Sequence, residues 1–256
     1  MKYLNDISKD CVGKVCKSLN SGNFKILKYS DSKNVEIQFS KTGYETTVQL
    51  GNIKSGKVKD PYSPSVFGVG VVGTKYPISE GGVKTKEYVL WCSMLTRCYS
   101  DTFKKKRQTY EGCEVSDKFK SYEYFYKWCN NQIGFSNKDW QLDKDLLIKG
   151  NKVYSEDSCV FLPQEINLVL VKRTALRGEN LIGVSWNKRD KAFVAKVNRN
   201  KGQQGCLGYF KTELEAYNAY KTAKESFVKE QAEKWKGKVD PRAYEALTNY
   251  TVDIND

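Results

Sequence analysis

Histidine is absent from this chain. Without an imidazole there is no Ser-His-Asp arrangement, no His-liganded metal and no histidine to act as a general base near neutral pH. No apolar run is long enough to span a bilayer, and the N-terminus lacks the apolar centre of a signal peptide. These absences predict a cytoplasmic protein with no membrane partner. The eight cysteines (Cys11, Cys16, Cys92, Cys98, Cys113, Cys129, Cys159 and Cys206) include no tight Cys-x-x-Cys pair. In a reducing compartment they read as thiols or metal ligands, not disulfides. There is no internal repeat and no low-complexity segment.

Basic charge and aromatic residues are plentiful. Lys plus Arg number 43 against 30 acidic residues, a formal net charge of +13 over 256 residues. Nucleic acid is the first partner class for such a chain, because neutralising phosphates supplies most non-specific affinity. A soluble basic enzyme is the bland alternative. Hydrophobic residues make up 39% and aromatics 13%, which favours packed cores over disorder. The length suits two or three small domains.

The patterning predicts an α+β protein in three parts. In 1–75, Phe24 to Tyr29, Val35 to Phe39 and Thr46 to Leu50 alternate with period two, separated by turn residues such as Asn20-Ser21-Gly22-Asn23 and Lys41-Thr42-Gly43. A small N-terminal β-barrel is expected there. Pro61 to Gly82, rich in Gly and Pro, reads as a linker or as an extended strand and loop. In 76–175, Tyr88, Trp91, Cys92, Leu95 and Cys98 recur at helical spacing, as do Tyr122, Phe125, Tyr126 and Cys129. Between them, Lys104, Lys105, Lys106 and Arg107 form a basic run that is either a solvated loop or a phosphate contact.

Further on, Trp140 to Leu142 and Cys159 to Leu162 read as strands flanking a long loop. Pro163 then opens a helix from Gln164 to Val171. Lys172 to Asn180 is a basic connector. In 176–256, strands near 183–188, 191–198 and 205–210 precede a helix that starts with the capping box Thr212-x-x-Glu215 and buries Ala216, Tyr220, Ala223 and Phe227. The open sheet face is expected to carry Trp186, Lys188, Arg189, Lys191, Lys196 and Arg199, with cations on phosphates and an aromatic or Arg at base edges. A short helix around Tyr244 to Leu247 is expected to pack back on a neighbour.

The block Gly183-Val184-Ser185-Trp186, Lys191 to Val197, Leu207 to Phe210 and Thr212 to Lys224 resembles the Apetala-type (ethylene-response-factor) DNA-binding domain. The resemblance implies groove reading by the three-stranded sheet, with Trp186, Lys188, Lys196 and Asn198 at the matched positions. The family's Arg next to the Gly-Val pair is Ser185 here, so no sequence preference carries over.

The segment Leu142-Asp143-Lys144-Asp145, Gly150-Asn151-Lys152, Tyr154-Ser155 and Cys159 to Asn167 resembles the HNH (ββα-metal, His-Me finger) endonuclease module. It is similar in particular to phage homing-type proteins that carry a Trp-x-x-Met-x-x-Arg-Cys-Tyr segment, here Trp91 to Tyr99. The resemblance implies that Asp143 and Asn167 hold one divalent ion, Mg²⁺ or similar, and that Asn151 takes the orienting position. Lys144 stands where the family has its His. A lysine with an ordinary pKa near 10 is a poor base at neutral pH, and Asp145 is the alternative. Three readings stay open: a nuclease with a substituted base, a nuclease fold kept only for DNA binding, or surface carboxylates paired with Lys144 and Lys149.

Cys98, Cys113, Cys129 and Cys159 flank this module, and four thiolates could hold a structural Zn²⁺. Buried free thiols are the favoured reading. The leading expectation is metal-dependent phosphodiester hydrolysis on double-stranded DNA, held by Arg97, Lys104 to Arg107, Lys172, Arg173 and the sheet face. The alternative is a catalytically inactive DNA-binding phage regulator or anti-defence factor, with a protein partner on the N-terminal barrel.

Overall fold

Alternating apolar and polar residues build the first sheet of the computed structural model, which describes residues 11–171, 179–198 and 204–255. β1 (Val15–Lys17), β2 (Asn23–Asp31), β3 (Asn34–Phe39) and β4 (Glu45–Val48) pair antiparallel in that order. Phe24, Ile26, Val35, Ile37 and Phe39 point to one face. Cys16 of β1 shares that face, and Cys11, Val58 and Ile53, the last in the short helix α1 (Leu50–Lys54), pack against it. The expected barrel is not formed. Among the described residues β1 and β4 remain the two edges of an open sheet, because the chain turns into α1 directly after β4 instead of extending to meet β1.

Helices and several small antiparallel sheets alternate along the rest of the chain, an α+β arrangement. It divides into two compact units, Met1–Lys127 and Trp128–Asp256. In the first unit, β5 (Ser79–Glu80) and β6 (Val83–Lys84) form a hairpin before α2 (Lys86–Tyr99). α3 (Asp101–Lys106), β7 (Glu114–Val115), α4 (Asp117–Lys120) and α5 (Tyr122–Asn130) follow, α5 carrying the chain into the second unit. Trp91, Met94, Leu95 and Cys98 of α2 are buried, and the Trp91 indole donates to the Phe119 carbonyl at 2.7 Å. The stretch 61–82 is pinned and is no free tether. Glu123 accepts the backbone N–H groups of Thr74 and Lys75 at 2.8 and 2.9 Å. Gly70 lies so close to α2 that a Cβ there would meet the Leu95 side chain at 2.6 Å.

In the second unit, β8 (Trp140–Asp143) and β10 (Val160–Pro163) pair antiparallel, with β9 (Val153–Tyr154) between them in sequence, and α6 (Gln164–Leu170) follows at once. β11 (Val184–Asn187), β12 (Ala192–Asn198) and β13 (Gln204–Phe210) make a three-stranded antiparallel sheet. α7 (Glu213–Trp235) begins at the expected capping box, with Glu215 N–H donating to Thr212 Oγ1 at 3.2 Å and Thr212 N–H to Glu215 Oε2 at 3.1 Å. It runs well past Lys224. At 23 residues it is about 34 Å long. α8 (Pro241–Thr248) closes the chain.

α7 serves two cores. Ala216, Tyr217 and Tyr220 pack against Val184, Ala195 and Val197 of the sheet. Further along, Val228 and Ala232 join Val160 and Leu162 of β10, Ile166 and Val169 of α6, and Ala243 and Leu247 of α8. The C-terminal helix thus packs back, as its sequence suggests, and Arg242 ties it to the carbonyls of Glu156 and Asp157 at 3.3 and 3.4 Å. Where the first core ends, Gly183 adopts φ +78°, and a Cβ there would collide with the Tyr220 ring at 2.1 Å. Only glycine fits so close a crossing.

Midway along α7, buried Lys224 donates to the Val169 carbonyl near the C-terminal end of α6. Burial pushes its ammonium down from 10.5 to about 8. The unfolded chain therefore holds this proton more tightly than the folded one, and the penalty for burying the charge fades as pH rises above about 8. Relative to Lys224→Met, the wild type should gain on the order of 1 kcal/mol of stability between pH 7 and pH 9. Paired chemical denaturation curves at the two pH values measure the difference. An unchanged gap would place the charge in water.

Candidate functional site

The β8–β10 hairpin and α6 bring together the residues expected to carry chemistry. Asp143 ends β8 opposite Val160. Its Oδ1 accepts the backbone N–H groups of Asp145 and Leu146 at 3.0 and 2.8 Å, which turns the chain away from the strand. Burial raises its pKa, the carboxylate of Asp145 adds to the rise, and the two N–H donors oppose it. Asn167, one turn into α6, donates Nδ2 to Gln141 Oε1 at 2.5 Å. Gln141 lies two residues before Asp143, hence on the same strand face. The amide that donates through Nδ2 presents Oδ1 as its acceptor. The two expected metal positions therefore sit on one hairpin–helix unit, linked through Gln141.

The loop between the strands is closed by Lys144 and Asn151. Asn151 Nδ2 donates to the carbonyls of Lys144 and Val153 at 2.8 and 2.7 Å, and its Oδ1 accepts the Val153 N–H at 3.1 Å. Lys144 is buried. Its ammonium donates to the Asp145 carboxylate and, at 2.9 Å, to the Asn151 carbonyl, above the Tyr154 ring. An ammonium fixed by a carboxylate and a carbonyl is held as a donor. Lys149, the other expected carboxylate partner, pairs instead with Asp253 at 3.7 Å.

Cys159 is fully buried beside this loop, and burial pushes its thiol up to about 12, so it stays protonated at neutral pH. Cys98, Cys113 and Cys129 are buried too. Among the described residues no three Cys, Asp or Glu side chains gather as a metal-binding group.

The three-stranded sheet has α7 on one face; on its other face Ser185, Lys196, Cys206 and Tyr209 are exposed and Val194 is buried. Register sorts the side chains. Val184, Ala195 and Val197 point to α7, while Ser185, Val194, Lys196, Cys206 and Tyr209 point away. Trp186, expected on the outward face, is not there. It shares the parity of Val184 and lies against Phe193, ring centroids 4.8 Å apart, at the rim of the inner core with 45% of its surface exposed. Tyr209, 56% exposed, is the outward aromatic in its place. The sequence carried the signal, since adjacent Tyr209 and Phe210 in one strand must split between faces.

Lys188, Arg189 and Lys191 belong to the β11–β12 turn at the end of the sheet. Asn187 Oδ1 accepts the N–H groups of Arg189 and Asp190 at 3.0 and 3.3 Å and so shapes the turn. The Arg189 guanidinium grips Asp190 through Nε at 2.9 Å and a second nitrogen at 3.3 Å. Lys196 is exposed, opposite Cys206. Lys172, Arg173 and Arg199 lie outside the described residues, as does the side chain of Asn198.

No family model, curated protein or solved structure matches this chain. The remaining candidate cations lie in the first unit. Arg97, in the last turn of α2, stacks over Tyr110 at 5.7 Å. The basic run is helical, not a loop: Lys104, Lys105 and Lys106 form the last turn of α3, Arg107 ends it, and Lys104 pairs with Asp101 at 3.7 Å. No helix among the described residues is long and apolar enough to cross a membrane.

Asn151→Ala removes three hydrogen bonds from the loop at once. It should cost about 1–2 kcal/mol, read as a lower urea midpoint at unchanged slope. A variant as stable as the wild type would show that the latch contributes nothing.

Proposed function

We propose that this chain binds double-stranded DNA through the outward face of its three-stranded sheet and hydrolyses phosphodiesters with a divalent ion at the β8–β10–α6 unit. The observation that best supports the reading is α7, which backs both elements within the second unit. A reading surface and a cutting site sharing one helix is an arrangement suited to a homing-type endonuclease. Tyr209 offers an aromatic face, Lys196 and Lys188 offer phosphate contacts, and Arg189 becomes available if a phosphate displaces Asp190. Lys104 to Arg107 would add contacts from the first unit.

Oxygen donors on a carboxylate and a carboxamide suit Mg²⁺ or a similar hard ion, which keeps most of its waters. Asp143 and Asn167 would hold it, and the ion would supply an activated water and neutralise charge on the phosphoryl oxygens. Lys144, engaged as a donor, holds the loop and supplies positive charge. Asp145 is exposed on its side-chain surface and is the better placed acceptor for a water proton. Asn151 fixes the loop that carries both.

A second reading has its own support. Lys144 occupies the position of the family's base and is locked in an ion pair, as expected of a fold that keeps DNA and has lost its chemistry. Such a protein would be a regulator or a phage factor opposing host defence, working in the cytoplasm.

Supercoiled DNA incubated with and without Mg²⁺ or Mn²⁺ separates the two. Asp143→Asn keeps an acceptor for the turn and removes the charge. It should lower metal-dependent nicking about 100-fold and leave the gel shift unchanged. Lys196→Glu with Tyr209→Ala should weaken the shift about tenfold or more. Nicking that persists in Asp143→Asn sinks the metal assignment. A salt-sensitive shift without cleavage across varied DNA favours the second reading.

A further inference from the structure

The four-stranded N-terminal sheet carries cations that its own carboxylates leave unneutralised. Asp31 accepts the backbone N–H groups of Lys33 and Asn34 at 2.7 and 3.0 Å in the β2–β3 turn. Glu45 accepts from Gln38 at 2.8 Å, and Glu36 pairs with Lys28 at 3.3 Å. Asp60 is buried and takes the hydroxyls of Thr42 and Ser63 at 2.6 and 2.9 Å and the Tyr62 N–H at 2.9 Å. Each acid in this stretch is thus engaged locally.

The lysines gather along β1, its neighbour β2 and the segment beside β1. Lys17 faces Asn23, and Val15 faces Lys25, so Lys17 and Lys25 are diagonal neighbours on the outward face. The segment Gly56–Val58 lies alongside β1, because Leu19 N–H donates to the Gly56 carbonyl at 2.9 Å and Ser18 Oγ to the Val58 carbonyl at 2.6 Å. Val58 is turned inward and Lys57 outward, with Lys59 following and Lys14 leading into β1. Lys14, Lys17, Lys25, Lys57 and Lys59 are all exposed. None forms an ion pair among the described residues.

We propose that the β1 edge of the N-terminal sheet is a second nucleic-acid surface, binding the phosphate backbone without sequence preference through Lys14, Lys17, Lys25, Lys57 and Lys59. Bringing unpaired cations from three chain segments together costs self-repulsion that a polyanion relieves. Lysine is a flexible point charge, suited to phosphates at varying register. This assignment rests on the reading of the chain as a DNA binder, but its residues are separate from those of the three-stranded sheet. It gives the sheet a nucleic-acid partner where a protein partner was the sequence expectation.

The test is the salt dependence of binding to a labelled duplex, measured by fluorescence anisotropy on the full chain. Substituting Lys17, Lys25 and Lys57 together by Gln should lower the slope of log K against log salt by about 2–3, close to 0.9 per lost phosphate contact. The same three positions as Arg should keep the slope. If the Gln variant keeps the wild-type slope while Lys196→Glu with Tyr209→Ala weakens binding, this surface is overturned and the three-stranded reader stands. If the Gln variant loses slope while the reader variant keeps its affinity, the reader assignment falls and this surface stands. Exposed Val15 and Leu19, at 62% and 59%, make vesicles of phosphatidylcholine and phosphatidylserine the contrasting partner. Vesicle binding lost in the Gln variant, with the DNA slope intact, would also overturn the proposal.

Discussion

α7 is the element on which the second unit depends. A short ββα hairpin and a three-stranded sheet each bury too little apolar surface to be secure alone, and most of a helix's stability comes from what its faces bury. α7 answers both needs by giving its first turns to the sheet and its last turns to β10, α6 and α8. Small residues make this workable. Ala216 lets the helix lie against the sheet, Ala232 does the same for the second core, and Gly183 lets the chain cross Tyr220 at a distance no side chain would tolerate. Lys224, buried at the join, offers its ammonium to the carbonyl end of α6, where a cation is favoured by the helix dipole.

Polar groups around the β8–β10 loop form a closed network. Asp143 holds the turn after its strand, Asn151 binds the backbone on both sides of the loop, and Lys144 bridges Asp145 and the Asn151 carbonyl. Together these bonds favour one loop conformation, and a slip would cost most at Lys144, the buried member of the network. That rigidity suits a metal-binding site, whose ligands must be placed before the ion arrives. It serves equally a fold retained for shape alone, and the arrangement is common to both functional readings.

Much of this was legible one element at a time. The helical spacing of Trp91 and Leu95, the strands flanking Asp143 and Val160, and the Thr212–Glu215 capping box all stand where local pattern puts them. These features depend on neighbours within a few residues. The misplacement of Trp186 has a different origin. Its chemistry suggested a base-reading aromatic, yet the pleat assigns it to the side of Val184, and Tyr209 takes the outward face. Strand parity decides a face before chemistry does, and a bulge at Leu207, where Gly208 faces Ala195 but Cys206 faces Lys196, shifts the parity of β13 while β12 keeps its alternation. The barrel failed for a similar reason: alternation reveals strands, while closure depends on whether distant edges meet.

The sequence by itself determined the absence of imidazole chemistry, the excess of positive charge, the α+β element types and the residues able to offer oxygen ligands. These follow from composition and from contacts within a turn or a strand pair. The tertiary structure decided that Lys144 is an ion-paired latch, that Gln141 links Asn167 to the Asp143 strand, and that unpaired lysines from three segments meet along β1. Such facts concern groups that are far apart in the chain. Burial and pairing between them are set only when the cores close and fix which side chains share a face.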